Sequence, residues 1–224
     1  VYTEEYQAFE KKMQKMYREM KDFQNEYIRR NVTLPGLFLL MSQVAIDLEP
    51  EGINTIKEIY NALYDGKFTD NPMSNYMKHW IISQQIQVGS RFIDFTIPDA
   101  EGKLHTLSEE IKGKVALIDL WASWCGPCRR LSISMIPIYE VYKDKGFTVV
   151  GVARERKLSD MTNCINRDKY PWLNLLELND SNKIWEEYGI GNGGGRTFLV
   201  DREGCIIAIH PDAEQVKMWL EKLL

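Results

Sequence analysis

The sequence is poor in the features that define several classes of protein. Its 224 residues contain four cysteines, too few for a disulfide scaffold, and three histidines. It has no run of about 18 apolar residues, so no membrane-spanning helix is predicted. The formal net charge of −4 is small and does not indicate a surface for nucleic acid or anionic membranes. What is left is a globular chain long enough to bury a substantial core.

The beginning of the sequence lacks a charged n-region, an apolar h-region and an initiator methionine. We interpret the sequence as a processed or trimmed piece of a longer protein. This interpretation is compatible with a signal or an anchor that has been removed. Composition therefore does not decide the compartment.

Residues 1–88 are predicted to form an all-α domain without catalytic residues of its own. Aromatic and methionine side chains recur there at spacings of three and four, as in an amphipathic helix: Tyr2, Tyr6, Phe9, Met13, Met16, Met20, Phe23 and Tyr27. Such a stripe usually forms core or a partner surface, and a partner surface here would favour a homodimer through these helices. Further helices are expected at about 34–48, 53–63 and 74–87.

From Gly89 the pattern changes to strands that alternate with helices, which predicts a second domain over 89–224. Strands are expected at 92–97, 103–107, 114–121, 147–153, 173–176, 196–200 and 205–209. Helices are expected at 108–110, from Cys125 to about Lys145, and at 158–167, 181–188 and 212–224. This order predicts an α/β fold, in which a mixed central sheet is flanked by helices.

The chemistry is concentrated at Cys125 and Cys128, which follow an apolar strand and enclose Gly126 and Pro127. Proline favours the start of a helix, so Cys125 should lie at the helix N-terminus with Cys128 one turn further on. Cysteines in that arrangement can form and break a disulfide. A zinc site would need a second pair of ligands, and no second C-x-x-C or C-x-x-H occurs.

The stretch V-A-L-I-D-L-W-A-S-W-C-G-P-C at 115–128 resembles thioredoxin. The segments V-G-S-R-F-I-D-F-T-I-P-D-A-E-G-K at 88–103 and T-F-L-V-D-R-E-G at 197–204 are closer to the TlpA/ResA-type thiol–disulfide reductases. A helical segment before such a domain is similar to multidomain members common in Bacteroides-type bacteria. The resemblance implies a thioredoxin fold and a place outside the cytoplasm, held by a signal or a lipid anchor. No cofactor or metal is expected.

Three residues are predicted to be catalytic. Cys125 is expected to be exposed at the helix start, where the helix dipole favours its thiolate, and to act as the nucleophile. Cys128, which should be deeper, is expected to be the resolving thiol. Asp119 is the candidate base for Cys128, because a carboxylate in an apolar strand should have a raised pKa, and the matching aspartate has this role in thioredoxin. The alternative is that Asp119 lies at a sheet edge and faces solvent.

Residues on both sides of the cysteines are predicted to contact substrate: Trp124, Gly126, Pro127, Gly194, Gly195 and Arg196. The loop before Arg196 leads into a strand, so it is not expected to be a phosphate cradle. Trp121 is expected in the core. Arg129 and Arg130 are expected on the solvated surface, with stabilisation of the Cys125 thiolate as the alternative. Cys164 and Cys205 are expected to be free thiols, with a bridge between them as the alternative. His105 and His210 are expected to be exposed and are assigned no role.

The sequence departs from the resemblance in two places. Thioredoxins have a cis-proline before the strand that here begins at Arg196, but Gly195 occupies that position, so a trans or rearranged loop is expected. The TlpA/ResA pattern also has an acidic residue soon after the second cysteine, and none is present here, which leaves Asp119 alone in the acid–base role. A kink in the cysteine helix is expected at Pro137.

Two classes of function fit these residues. The first is an extracytoplasmic reductase of protein disulfides that takes electrons from a membrane donor and serves cell redox homeostasis, since Gly-Pro between the cysteines resembles reducing thioredoxins. The second is a binding or assembly module that uses the thioredoxin fold with weak or no redox turnover. Peroxide reduction is disfavoured because C-G-P-C is not the pattern of peroxide-reducing relatives.

Overall fold

The computed structural model describes residues 3–46, 49–191 and 193–224. Tyr2 of the predicted stripe and Leu48 of the predicted second helix lie outside the described residues. The chain divides into two compact units, of which the first ends at Lys78 and the second begins at His79. The division precedes the domain boundary predicted at 88–89.

The first unit is helical. It contains α1 (Glu4–Arg30), α2 (Leu34–Gln43) and α3 (Pro50–Leu63), and the division between the units falls inside α4 (Pro72–Ser83). Thr33 begins α2 by accepting a hydrogen bond from the backbone of Gly36. The buried Tyr64 hydroxyl lies 3.2 Å from the carbonyl oxygen of Ile28 and 3.0 Å from that of Asn31, and so ties the end of α1 to the end of α3.

The second unit contains seven strands and five further α-helices within the described residues. The strands are β1 (Thr96–Pro98), β2 (Leu104–Thr106), β3 (Val115–Trp121), β4 (Phe147–Glu155), β5 (Leu173–Leu178), β6 (Arg196–Val200) and β7 (Ile206–Ile209). The helices are α5 (Leu107–Glu110), α6 (Gly126–Tyr142), α7 (Leu158–Asp168), α8 (Ile184–Glu187) and α9 (Ala213–Leu223). Among the described residues, no helix is long and apolar enough to cross a membrane.

A mixed sheet in the order β5-β4-β3-β6-β7 forms the centre of the second unit. Strands β3, β4 and β5 are parallel, whereas β6 and β7 run antiparallel to their neighbours. Every residue of β3 is buried, which is why its sequence is almost continuously apolar. The predicted mixed sheet flanked by helices is confirmed, and its central strand ends at the cysteine motif.

Among the predicted elements that are shorter in the structure, two have a local cause. The strand predicted at 92–97 is reduced to β1, because the backbone of Ile93 bonds to the Tyr188 hydroxyl instead of a neighbouring strand. The helix predicted at 181–188 is reduced to α8, because Lys183 adopts a left-handed conformation with φ of 55°. Helix α6 continues through Pro137 to Tyr142.

Candidate active site

The two motif cysteines lie where β3 passes into α6. Cys125 is the N-cap residue of α6, and its Sγ accepts a hydrogen bond of 3.3 Å from the backbone N–H of Cys128. The two sulfurs are joined in a disulfide. The pair therefore occupies a helix N-terminus, whose partial positive charge favours thiolate once the disulfide is reduced.

The prediction that Cys125 is more exposed than Cys128 is wrong. Cys125 is 6% exposed and Cys128 is 9% exposed, so both are nearly buried and Cys125 is not the more accessible. The glycine-rich loop explains part of this cover, because a Cβ on Gly194 would lie 3.7 Å from Cys125 Sγ. Trp124, in contrast, is 57% exposed beside the pair.

Asp119 is the buried acid beneath the motif. It lies in β3, between β4 and β6, and is 2% exposed, so the alternative of a solvent-facing sheet edge is wrong. Burial raises the pKa of Asp119 to about 7, and a hydrogen bond from Ser132 opposes part of that rise. A carboxyl with this pKa can take up and release a proton near neutral pH.

Ser132 joins Asp119 to the cysteine helix and was not predicted from the sequence. Its Oγ lies 2.6 Å from Asp119 Oδ2 and 3.0 Å from the carbonyl oxygen of Cys128. The hydroxyl has one proton, so it donates to one of these oxygens at a time, and the shorter distance is typical of a charge-assisted bond. The available signal was its spacing, one helical turn after Cys128 and on the same face.

A second buried carboxylate holds the loop between β3 and α6. Glu155 ends β4, and its two oxygens accept from the backbone N–H of Ser123 and, at 3.0 Å, from the Ser123 hydroxyl. Burial raises the pKa of Glu155, and the bonds from Ser123 oppose that rise. This clamp fixes the residue two positions before Cys125. Sequence reasoning missed it because the partners are distant along the chain.

The interpretation of Arg129 as a solvated surface residue is wrong. Its guanidinium makes two bonds to the carboxylate of Asp168 at the end of α7, at 2.7 and 2.9 Å. The Arg129 guanidinium holds the pKa of Asp168 well below its usual range. Tyr170 also donates to this carboxylate, at 3.3 Å. Arg130, one residue further on, is exposed.

An open depression of about 440 Å³ lies over the cysteines. It is lined by Trp124, Cys125, Gly126, Pro127, Cys128, Leu131, Gly193, Gly194, Gly195, His210, Pro211 and Asp212. Of the predicted substrate contacts, Arg196 alone is not in this lining. Arg196 is the first residue of β6 and pairs with Leu120 in the sheet. His210 and Asp212 were not predicted, since nothing in their local sequence relates them to the motif.

The remaining expectations have mixed outcomes. His105 is 9% exposed instead of exposed, because its two ring nitrogens bond to Asp99 and Glu110 at 2.9 and 2.7 Å. Cys164 and Cys205 are free thiols, as expected. Within the described ranges, no group of histidine, cysteine, aspartate and glutamate side chains is arranged to hold a metal ion.

Comparisons with known proteins agree with this geometry. The family described as Redoxin matches residues 87–222. The thiol–disulfide oxidoreductase ResA of Bacillus thuringiensis is 28% identical over 164 residues, which cover 72% of this chain and 84% of that protein. The thioredoxin domain of a thiol–disulfide oxidoreductase from Bacteroides vulgatus is 33% identical with a TM-score of 0.55, covering 61% of this chain and 96% of that one. A thiol:disulfide interchange protein from a Bacteroides species is 32% identical with a TM-score of 0.56, covering 62% and 90%.

Proposed function

The chain belongs to the Redoxin family, as a thioredoxin-fold thiol–disulfide oxidoreductase of the TlpA/ResA type, and we propose that it reduces disulfides in protein substrates. The observation that carries the proposal is the disulfide of Cys125 and Cys128 at the N-terminus of α6, with the buried Asp119 behind it. Gly126 and Pro127 between the cysteines resemble reducing thioredoxins and support this direction.

In the proposed reaction, the reduced protein provides both electrons. The thiolate of Cys125 attacks a substrate disulfide and forms a mixed disulfide, and one substrate sulfur leaves as thiolate. Asp119 accepts the proton of the Cys128 thiol. The Cys128 thiolate then attacks Cys125 Sγ, releases the second substrate sulfur and closes the Cys125–Cys128 disulfide. The aromatic face of Trp124 and the loop of Gly194 and Gly195 would contact the substrate chain.

Reduction of insulin by dithiothreitol tests the activity. The wild-type protein should accelerate the appearance of turbidity, and Cys125→Ser and Cys128→Ser should not. Equal rates in all three proteins would contradict the proposal. The reduction potential tests the direction: a value near about −270 mV supports a reductase, and a value near about −120 mV an oxidase.

The same proposal includes a place outside the cytoplasm, with electrons supplied by a membrane donor. Cys125 and Cys128 need a reductant after each turnover, and the resemblance to TlpA/ResA-type proteins supports one at the membrane. Fractionation of cells that express the full-length protein, with trapping of a mixed disulfide on the Cys128→Ser variant, tests both points. Recovery of the protein with the cytoplasmic fraction would contradict this placement.

The exposed face of α1 favours a second candidate role, assembly. Its apolar side chains follow a heptad spacing and are 47% to 71% exposed: Phe9, Met13, Met16, Met20 and Phe23. Ile28 is the residue of α1 that is buried. The first turn carries Glu4 and Glu5 and the last turn Arg29 and Arg30, so two antiparallel copies would bring opposite charges together. We therefore propose a homodimer in which α1 pairs with α1 of a second copy.

Sedimentation equilibrium tests the homodimer. The wild-type protein should form dimers, and the double variant Met16→Lys, Phe23→Lys should be a monomer. Met218→Lys is the matched control, because Met218 is a 59% exposed methionine on α9. A monomeric wild-type protein, or dissociation by the control alone, would contradict the pairing. A dimer with no cysteine-dependent turnover would favour an assembly module over the enzyme.

A further inference from the structure

Each sulfur of the motif has a backbone donor, and the two donors come from different parts of the chain. Cys125 Sγ accepts from the N–H of Cys128, within the helix turn. Cys128 Sγ accepts from the N–H of Gly195, at 3.2 Å, across a separation of 67 residues. The glycine-rich loop therefore touches the sulfur that is expected to resolve the mixed disulfide.

The position of Gly195 leaves no room for a side chain. A Cβ there would lie 1.8 Å from the carbonyl oxygen of Leu120 and 3.1 Å from Cys128 Sγ. The φ angle of Gly195 is not in the left-handed region, so close approach and not backbone conformation requires the glycine. The loop backbone is thereby placed directly against the sulfur.

A proline at this position would have no N–H to donate. The residue that departs from the thioredoxin pattern therefore adds a hydrogen bond that the pattern itself cannot make. An N–H directed at sulfur binds the thiolate more strongly than the thiol, because charge on the acceptor strengthens the bond.

We propose that the backbone N–H of Gly195 is a catalytic group that stabilises the thiolate of Cys128. This role rests on the proposed exchange reaction, in which Cys128 must lose its proton before it attacks Cys125 Sγ. Gly195 and Asp119 act on the same step in different ways: Asp119 accepts the proton, and Gly195 stabilises the charge that remains on sulfur.

Two variants at position 195 add the same Cβ but differ in whether they keep the backbone N–H. Gly195→Ala keeps the N–H, Gly195→Pro removes it, and both add a Cβ against Leu120. The background Cys125→Ser, Cys164→Ser, Cys205→Ser leaves Cys128 as the thiol that titrates. Thiolate absorbance against pH should give an acid dissociation constant about tenfold smaller with proline than with alanine. Equal constants in the two variants would overturn the proposal.

A second measurement needs no change in the loop. In the Cys125→Ser protein with its native Gly195, the Gly195 amide proton should shift as Cys128 is titrated. When the thiolate forms, the exchange of this proton with solvent should be slower than the base-catalysed rate expected at that pH. A chemical shift of the Gly195 amide that does not change during the titration would overturn the proposal. This result does not depend on the folding of the two loop variants. Neither readout depends on a client. Failed insulin reduction with a responsive Gly195 amide would therefore reject the proposed function and leave the donor role standing.

Discussion

Two aspartates touch α6 from different sides and behave in opposite ways. Asp119 lies in β3 and accepts from Ser132, and burial raises its pKa to about 7. Asp168 lies at the end of α7 and accepts two bonds from Arg129, which hold its pKa well below the usual range. The Asp168 side chain is also well covered, being 4% exposed.

The difference between the two carboxylates is the presence of a cation. Asp168 keeps its negative charge because Arg129 compensates it, so Asp168 fastens α7 to the cysteine helix and does not exchange protons near neutral pH. Asp119 has a hydroxyl in place of a guanidinium, and desolvation dominates its pKa. Burial alone therefore does not identify a catalytic acid. The groups that a buried carboxylate contacts determine whether its role is structural or catalytic.

Asp119→Asn should produce the largest functional effect. Loss of the proposed base is expected to lower the rate of insulin reduction by about 100-fold. Stability should change in the other direction. The native carboxyl keeps its proton up to about pH 7, whereas an aspartate in the unfolded chain has its ordinary pKa of 3.8. Asp119 therefore costs the wild-type protein stability as pH rises between these values. The variant should therefore melt at a higher temperature than the wild type at pH 8.

Thermal unfolding at pH 8 and pH 4, with insulin reduction at neutral pH, checks both signs. The melting difference should be much smaller at pH 4, where native Asp119 is protonated and the unfolded aspartate is close to its pKa of 3.8. A variant that is inactive and less stable at pH 8 would assign Asp119 a structural role like that of Asp168.

Asp168→Asn should give the converse result. Removal of the charge weakens the bonds from Arg129 and Tyr170 and should destabilise the protein by about 2 kcal/mol. Because the native pKa of Asp168 is lowered, its contribution is present above its unfolded pKa and is lost as pH falls through the native value. Urea unfolding at pH 7 measures the loss, and the folded variant should keep most of the rate of insulin reduction proposed for the wild type. A loss of rate without a loss of stability would contradict the structural role assigned to Asp168.

The sequence predicted Asp119 but not Asp168, for a physical reason. Asp119 stands in a continuous apolar strand, and that local pattern indicates burial. The partners Arg129 and Asp168 are separated by 39 residues, and neither has an unusual neighbourhood in the sequence. Pairings of this kind depend on how helices pack on the sheet, which local patterns do not specify.

The same distinction applies to the rest of the site. The disulfide pair and its helix start could be predicted, because strand, cysteines, glycine and proline are contiguous. The hydrogen bond from Gly195 to Cys128 and the cover over Cys125 could not, since both need the loop before β6 to return to the motif. His105 was misjudged because its carboxylate partners come from the adjoining hairpin and helix.

Ser132→Ala should have a smaller effect than either aspartate variant and sharpen the account of Asp119. Without the hydroxyl, Asp119 loses the bond that favours its charged form, so its pKa should rise further. The pH dependence of insulin reduction should then move to higher pH, and Ser132→Thr should restore the wild-type profile. A loss of rate that is equal at every pH would show that Ser132 only supports packing.

The smallest effect is expected at His105. Its arrangement is the reverse of that at Asp168, because here a cation is bound by two carboxylates. Its bonds to Glu110 and Asp99 raise the pKa of His105, because both ring nitrogens can donate in the protonated form alone. This stability is fully present below the unfolded pKa and is lost as pH rises through the raised native pKa. Glu110→Gln should lower the melting temperature by about 2 °C at pH 6 and by less at pH 9. A difference that is constant with pH would mean that the triad does not depend on charge, and the rule drawn from Asp119 and Asp168 would not extend to this hairpin.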